Sequence, residues 1–143
     1  MSAYTFCMLY MFLNVTPTTK ERPRFAKNGH AFTPIKTKKA EYDIKVLVKA
    51  EMKRAGLSIT KDPVSIFIRF HYEVPKKMTK EEKELLAAGT LFRCRSPDVD
   101  NMAKLLMDAL NGVLYVDDCQ VIKLVAEKKI TGKSGVEFKV EKM

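Results

Sequence analysis

The chain has 143 residues, 46% of them hydrophobic and 9% aromatic, and its 26 Lys and Arg against 17 Asp and Glu give a formal net charge of +9. That length and apolar share suffice for one packed domain, 1–143, and exclude wholesale disorder, collagen, low-complexity sequence and solenoid repeats. The basic excess points to a polyanionic partner, nucleic acid before membrane, since there is no Trp and the cations gather away from any amphipathic apolar helix.

Residues 4–15 are the longest apolar stretch, short of the roughly 20 residues that span a bilayer. They lack the basic start and small-residue cleavage site of a signal peptide, so a cytoplasmic protein is expected. This stretch predicts a buried first strand that stops at Thr16-Pro17. Residues 16–39 then hold seven cations (Lys20, Arg22, Arg24, Lys27, Lys36, Lys38, Lys39) against one acid, Glu21. Within this basic arm Asn28-Gly29 predicts a type I′ hairpin turn, and a small ribbon carrying Phe25 and Phe32. Phe25 either packs on the core, the simpler expectation, or stacks on a ligand. Thr37 is the expected cap of a helix over 37–55, whose Ala40, Ile44, Leu47, Val48 and Met52 recur at helical spacing and which Gly56 ends. Residues 64–74 alternate as a strand, with Ile66, Ile68, Phe70 and Tyr72 on one face and Phe67, Arg69 and His71 on the other. His71 is expected to be structural or exposed. Pro75 ends this strand, and Thr79-Lys80-Glu81-Glu82 is a capping box opening a short helix to about Gly89, read as a surface excursion.

A longer helix is predicted over 97–111, with Ser96 as cap, Pro97 at its first position and Gly112 beyond its end. Strands over 121–126 and 136–140 follow, joined as a hairpin through Thr131-Gly132-Lys133-Ser134-Gly135. The order predicts a mixed α/β (α+β) domain with helices packed on one small mixed sheet. The three cysteines, Cys7, Cys94 and Cys119, form no close C-x-x-C pair, so neither a disulfide framework nor a zinc site is expected.

Chemistry concentrates after Ser96. Asn101, Lys104, Asp108 and Asn111 share one helical stripe, and Met102, Leu105, Leu106, Ala109 and Leu110 form the opposite, anchoring one. Asp98 and Asp100 stand at the helix start, and Asp117-Asp118 precede a strand. Converging carboxylates of this kind suit a hard cation such as Mg²⁺, beside which Lys104 would steady a phosphate oxyanion. Taken singly, acids in a first turn also serve the helix dipole, and Asp-Asp before a strand is ordinary turn chemistry. Alongside a basic arm, the combination points to phosphodiester hydrolysis.

Pro97-Asp98-Val99-Asp100-Asn101, then Lys104, Asp108-Ala109-Leu110-Asn111-Gly112 and Tyr115-Val116-Asp117-Asp118-Cys119-Gln120-Val121 closely resemble the signature of RusA-type Holliday junction resolvases. Arg22-Pro23-Arg24-Phe25 and Phe32-Thr33-Pro34 resemble the basic N-terminal segment of many phage-borne members. The resemblance implies a homodimeric, Mg²⁺-dependent endodeoxyribonuclease that nicks four-way DNA junctions symmetrically, with no membrane partner. It places catalytic, metal-binding carboxylates on Asp98, Asp100 and Asp118 and an essential lysine on Lys104, with Asp117 a neighbouring acid. Lys20, Arg22, Arg24 and Lys27 are the expected phosphate contacts. The excursion over 75–92 is longer than in compact members. Two rival readings are a flap or replication-intermediate nuclease and a non-catalytic basic DNA-binding module.

Overall fold

A computed structural model describes residues 6–19, 24–32 and 35–143. Its central element is β4 (Val64–Tyr72), where strict alternation buries Val64, Ile66, Ile68, Phe70 and Tyr72 and leaves the intervening side chains half-buried. Three further strands complete a mixed sheet in the order β1-β6-β4-β5: β1 (Phe6–Leu13), β5 (Val121–Ile130) and β6 (Gly135–Lys142). On its apolar face lie α1 (Ile35–Ala55), through Ile44, Val48 and Met52, and α3 (Val99–Leu110), through Met102, Leu106, Ala109 and Leu110. Among the described residues, no helix covers the other sheet face. The architecture is the expected mixed α+β one.

The connections follow from strand direction. β4 and β5 are parallel, and parallel neighbours need a long crossover. The segment between them supplies it, through α2 (Lys80–Ala87) and α3. α2 starts on the predicted capping box, with Glu82 N donating to Thr79 Oγ1 at 3.1 Å and Thr79 N to Glu82 Oε1 at 3.2 Å.

Several expectations are corrected. β1 is an edge strand rather than a buried one, with Phe6 and Tyr10 exposed while Leu9 and Leu13 enter the core. β5 and β6 are not hairpin neighbours: β4 lies between them, antiparallel to β6. The connecting loop crosses the end of β4, where Thr131 N and Gly132 N both donate to Tyr72 O at 3.1 Å. Thr37 is buried inside α1, which starts earlier than predicted. Asn28-Gly29 does close a ribbon, β2 (Arg24–Phe25) on β3 (Ala31–Phe32). Its turn is not type I′, because only Gly29 has positive φ (84°). Gly29 N bonds Ala26 O and Ala26 N bonds His30 O, both at 2.9 Å, which is a three-residue loop with a glycine bulge. Phe25, expected on the core, is 77% exposed.

Candidate nuclease site

The site is built on α3. Its apolar stripe is buried as predicted, which turns Asp100 and Lys104 outward. The helix begins two residues later than expected. Asp98, not Ser96, is the N-cap, and its carbonyl receives the first helical bond, from Met102 N at 3.2 Å. The carbonyls of Ser96 and Pro97 are taken by side chains instead: Arg93 Nη2 donates to Ser96 O at 2.9 Å and Lys128 Nζ to Pro97 O at 3.0 Å. At the far end, Lys45 of α1 donates to Ala109 O at 3.1 Å and Asn111 O at 2.9 Å, a cation on the negative end of the helix.

Asp98 makes no side-chain cap bond. Capping is the commonest structural reason for an aspartate at that position; here the Asp98 carboxylate instead accepts a long contact from Asn101 Nδ2 at 3.4 Å. Asp100 is exposed in the first turn. One turn on, Lys104 Nζ stands 3.2 Å from Asp108 Oδ1 and 3.3 Å from Asp118 Oδ2. Its pKa is raised, first by the hydrogen bond to Asp108 and further by Asp118, against a downward pull from burial. Asp100 and Lys104 stand four residues apart on one face of α3.

That turn is a short 3₁₀ segment (Asp118–Gln120) packed against α3. Gln120 clamps it from both ends of its amide. Oε1 accepts from Val116 N at 2.8 Å and Asp117 N at 3.1 Å, while Nε2 donates to Thr60 O at 2.9 Å and Asp62 O at 3.0 Å. Beneath it Tyr115 is fully buried and donates to Met107 O at 2.7 Å. Burial, then Asp118, Asp108 and Asp117, push the Tyr115 hydroxyl far up, so it remains a donor. Asp117 is held below the usual carboxylate range, first by the Cys119 thiol. All three cysteines are free and exposed.

The structure thus brings Lys104 and Asp118 together and adds Asp108 to them. It does not draw Asp98, Asp100 and Asp118 into one cluster: among the described residues no group of three acidic, His or Cys side chains is gathered closely enough to hold a metal. Mutual repulsion keeps uncompensated carboxylates apart, and the cation that Asp118 holds is the Lys104 ammonium. In donor chemistry the all-carboxylate set fits a hard divalent ion. Of the arm cations, Lys20 and Arg22 lie outside the described residues, as does the side chain of Arg24, and Lys27 is exposed at the ribbon turn. Sequence reading missed Asp108 as the partner of Lys104, although their four-residue spacing on a helix signals it. The Gln120 and Lys128 clamps span distant segments and leave no local signal.

Among the described residues no helix is long and apolar enough to cross a membrane. The family model for "Endodeoxyribonuclease RusA" matches residues 14–141. A Bacillus subtilis (strain 168) protein, YqaN, whose function is uncharacterized, is 33% identical over 132 residues, covering 89% of this chain and 91% of its own length. With the match running over nearly the whole chain and containing every residue of the α3 site, the chain belongs to the RusA family of endodeoxyribonucleases.

Proposed function

We propose that the protein is a Mg²⁺-dependent endodeoxyribonuclease that resolves four-way DNA junctions by paired, symmetric nicks, acting as a homodimer in the cytoplasm during DNA recombination and repair. The observation that carries this reading is the meeting of Lys104 with Asp118 across α3 and the following turn, one helical turn from Asp100. Family membership supplies the reaction class.

Asp98, Asp100 and Asp118 would hold the metal, which when bound would acidify a water and neutralise charge on the phosphate. Lys104, kept protonated by Asp108 and Asp118, would donate to a phosphate oxygen as negative charge builds there. Asp108 orients that ammonium from below, and Gln120 fixes the backbone that presents Asp118. Lys27, with Lys20, Arg22 and Arg24 of the arm, would contact phosphates without reading sequence. A junction has approximate two-fold symmetry, so a two-fold dimer would set one site against each of two equivalent strands.

The test is a labelled synthetic junction, incubated with and without Mg²⁺ beside flap and duplex substrates. Paired nicks at symmetric positions, only with Mg²⁺ and fastest on the junction, are expected. Faster cutting of flaps would replace this reading with a flap nuclease. The lack of a cap bond at Asp98 weighs against the non-catalytic module.

A further inference from the structure

Outside the basic arm, cations gather around the excursion that separates β4 from α3. The chain leaves the sheet after Tyr72, runs through α2 and returns along the outer edge of β5, where Ile130 N donates to Leu91 O at 3.0 Å and Phe92 bridges Lys129. Between the outgoing and returning limbs is a cleft of about 510 Å³ lined by Lys76, Lys77, Arg93 and Arg95. Two carboxylates also reach it, Glu73 and Glu82, and Glu82 is committed to the α2 cap. Among the described residues, Lys76, Lys77 and Arg95 make no ion pair, and all three are exposed. Phe92 is half exposed at the cleft, with the Lys129 ammonium 5.8 Å from its ring centre.

The cleft is tied mechanically to the α3 acids. The Arg93 guanidinium lies 4.4 Å over the Tyr72 ring while its Nε and Nη2 donate to Ser96 O at 3.1 and 2.9 Å. The Tyr72 hydroxyl in turn donates to Met102 Sδ of α3 at 3.2 Å. Lys128 bridges Arg95 O at 2.6 Å and Pro97 O at 3.0 Å. The cationic floor therefore ends three residues before Asp98, held by a rigid set of bonds rather than by a free loop.

We propose that this cleft binds the sugar-phosphate backbone of the DNA strand that enters the α3 site, with Lys76, Lys77 and Arg95 as its phosphate contacts and Phe92 as a stacking surface for a base. Unpaired cations with an exposed aromatic between them are the composition that single-stranded or branched nucleic acid takes. Continuity with Asp98 sets the occupant as a strand on its way to the carboxylates. An acidic protein segment would match the charge but not that continuity. The inference rests on the nuclease reading and extends it to a segment outside the signature.

The experiment compares the wild-type chain with K76A/K77A/R95A and with a matched control, K49A/K53A/K61A, which removes the same charge elsewhere. Junction affinity is measured in Ca²⁺ over a range of NaCl concentrations. The cleft variant is expected to show a plot of log K against log salt shallower by about 0.9 per lost phosphate contact, ~2.7 per protomer and ~5.4 for a dimer, and the control a change below about 1. In the wild-type protein, DNA is expected to protect Lys76 and Lys77, and not Lys49, from acylation, a readout that needs no variant to fold. An unchanged slope with unprotected lysines, or equal losses in variant and control, would overturn the cleft. If the wild-type chain binds and cuts junctions while those results hold, the nuclease reading survives without it. If the wild-type chain neither binds nor cuts, the nuclease reading itself falls.

Discussion

Two charged clusters, one on α3 and one on the open face of the sheet, use the same residue types to opposite ends. On the open face Glu137 takes hydrogen bonds from Tyr10 and from His71, whose Nε2 lies 2.9 Å away, and it lies 3.8 Å from Arg69 Nη1. Arg69 Nε also holds Glu127 at 2.5 Å, and His71 Nδ1 meets Thr131 Oγ1 at 2.7 Å. The donors there come from neighbouring strands in register, with Arg69 serving both Glu127 and Glu137. Along α3 and its turn, by contrast, the Lys104 ammonium pairs with Asp108 and Asp118, and among the described residues neither Asp98 nor Asp100 makes an ion pair. A cluster that satisfies itself fastens strands together. On α3 the carboxylates outnumber the cation that pairs them.

That contrast is broken or sharpened by substitution, beginning with the largest effect. Asp118→Asn is expected to lower junction nicking at least about 10³-fold, ~4 kcal/mol of barrier, with the thermal midpoint unchanged or raised. Lys104→Met is expected to lower kcat about 10²–10³-fold, as for loss of one donor to a developing oxyanion. Gln120→Ala is expected to reduce kcat about tenfold or more by loosening the turn under Asp118 while KM moves little, since small misplacements are enough to slow a positioned reaction.

Glu137→Gln is expected to leave nicking intact and to lower stability by about 1–3 kcal/mol, the range for hydrogen bonds to charged groups. Burial pushes the Glu137 carboxyl up, but bonds from Tyr10 and His71 and the charge of Arg69 prevail and hold it below its ordinary 4.5. A carboxyl with a depressed folded pKa contributes stability above the unfolded value and loses it as pH falls through the folded one. The wild type should therefore lose stability below about pH 4.5 more steeply than Glu137→Gln, read from denaturant midpoints against pH. An equal slope in both would show that Glu137 is not what couples the open face to acid. The smallest effect is expected from Phe25→Ala, within about 0.5 kcal/mol of wild-type stability because the ring is already 77% exposed.

Where a pattern repeats locally, the sequence carried it. The β4 alternation, the α3 apolar stripe and the Thr79–Glu82 capping box all stand as read. The sheet order was not legible, because nothing local states that β4 inserts between β5 and β6; residues 131–135 have a hairpin's turn composition, yet the loop spans a strand. The start of α3 was misjudged because Arg93, just before the helix, and Lys128, on β5, capture the carbonyls ahead of Asp98. For the same reason the residues of chemical type at the site were legible, while the side chains that position them were not. Lys104 with Asp108 was readable from spacing, but Gln120 reaching Thr60 was not.

The most direct test of the central claim separates binding from cutting at one carboxylate. Asp100→Asn is assayed for nicking of a labelled four-way junction in Mg²⁺ and for binding the same junction in Ca²⁺. Abolished nicking with binding kept or tightened, as local negative charge falls, is the predicted result. Nicking at the wild-type rate would contradict it, and with it the assignment of the α3 carboxylates as the metal-holding centre.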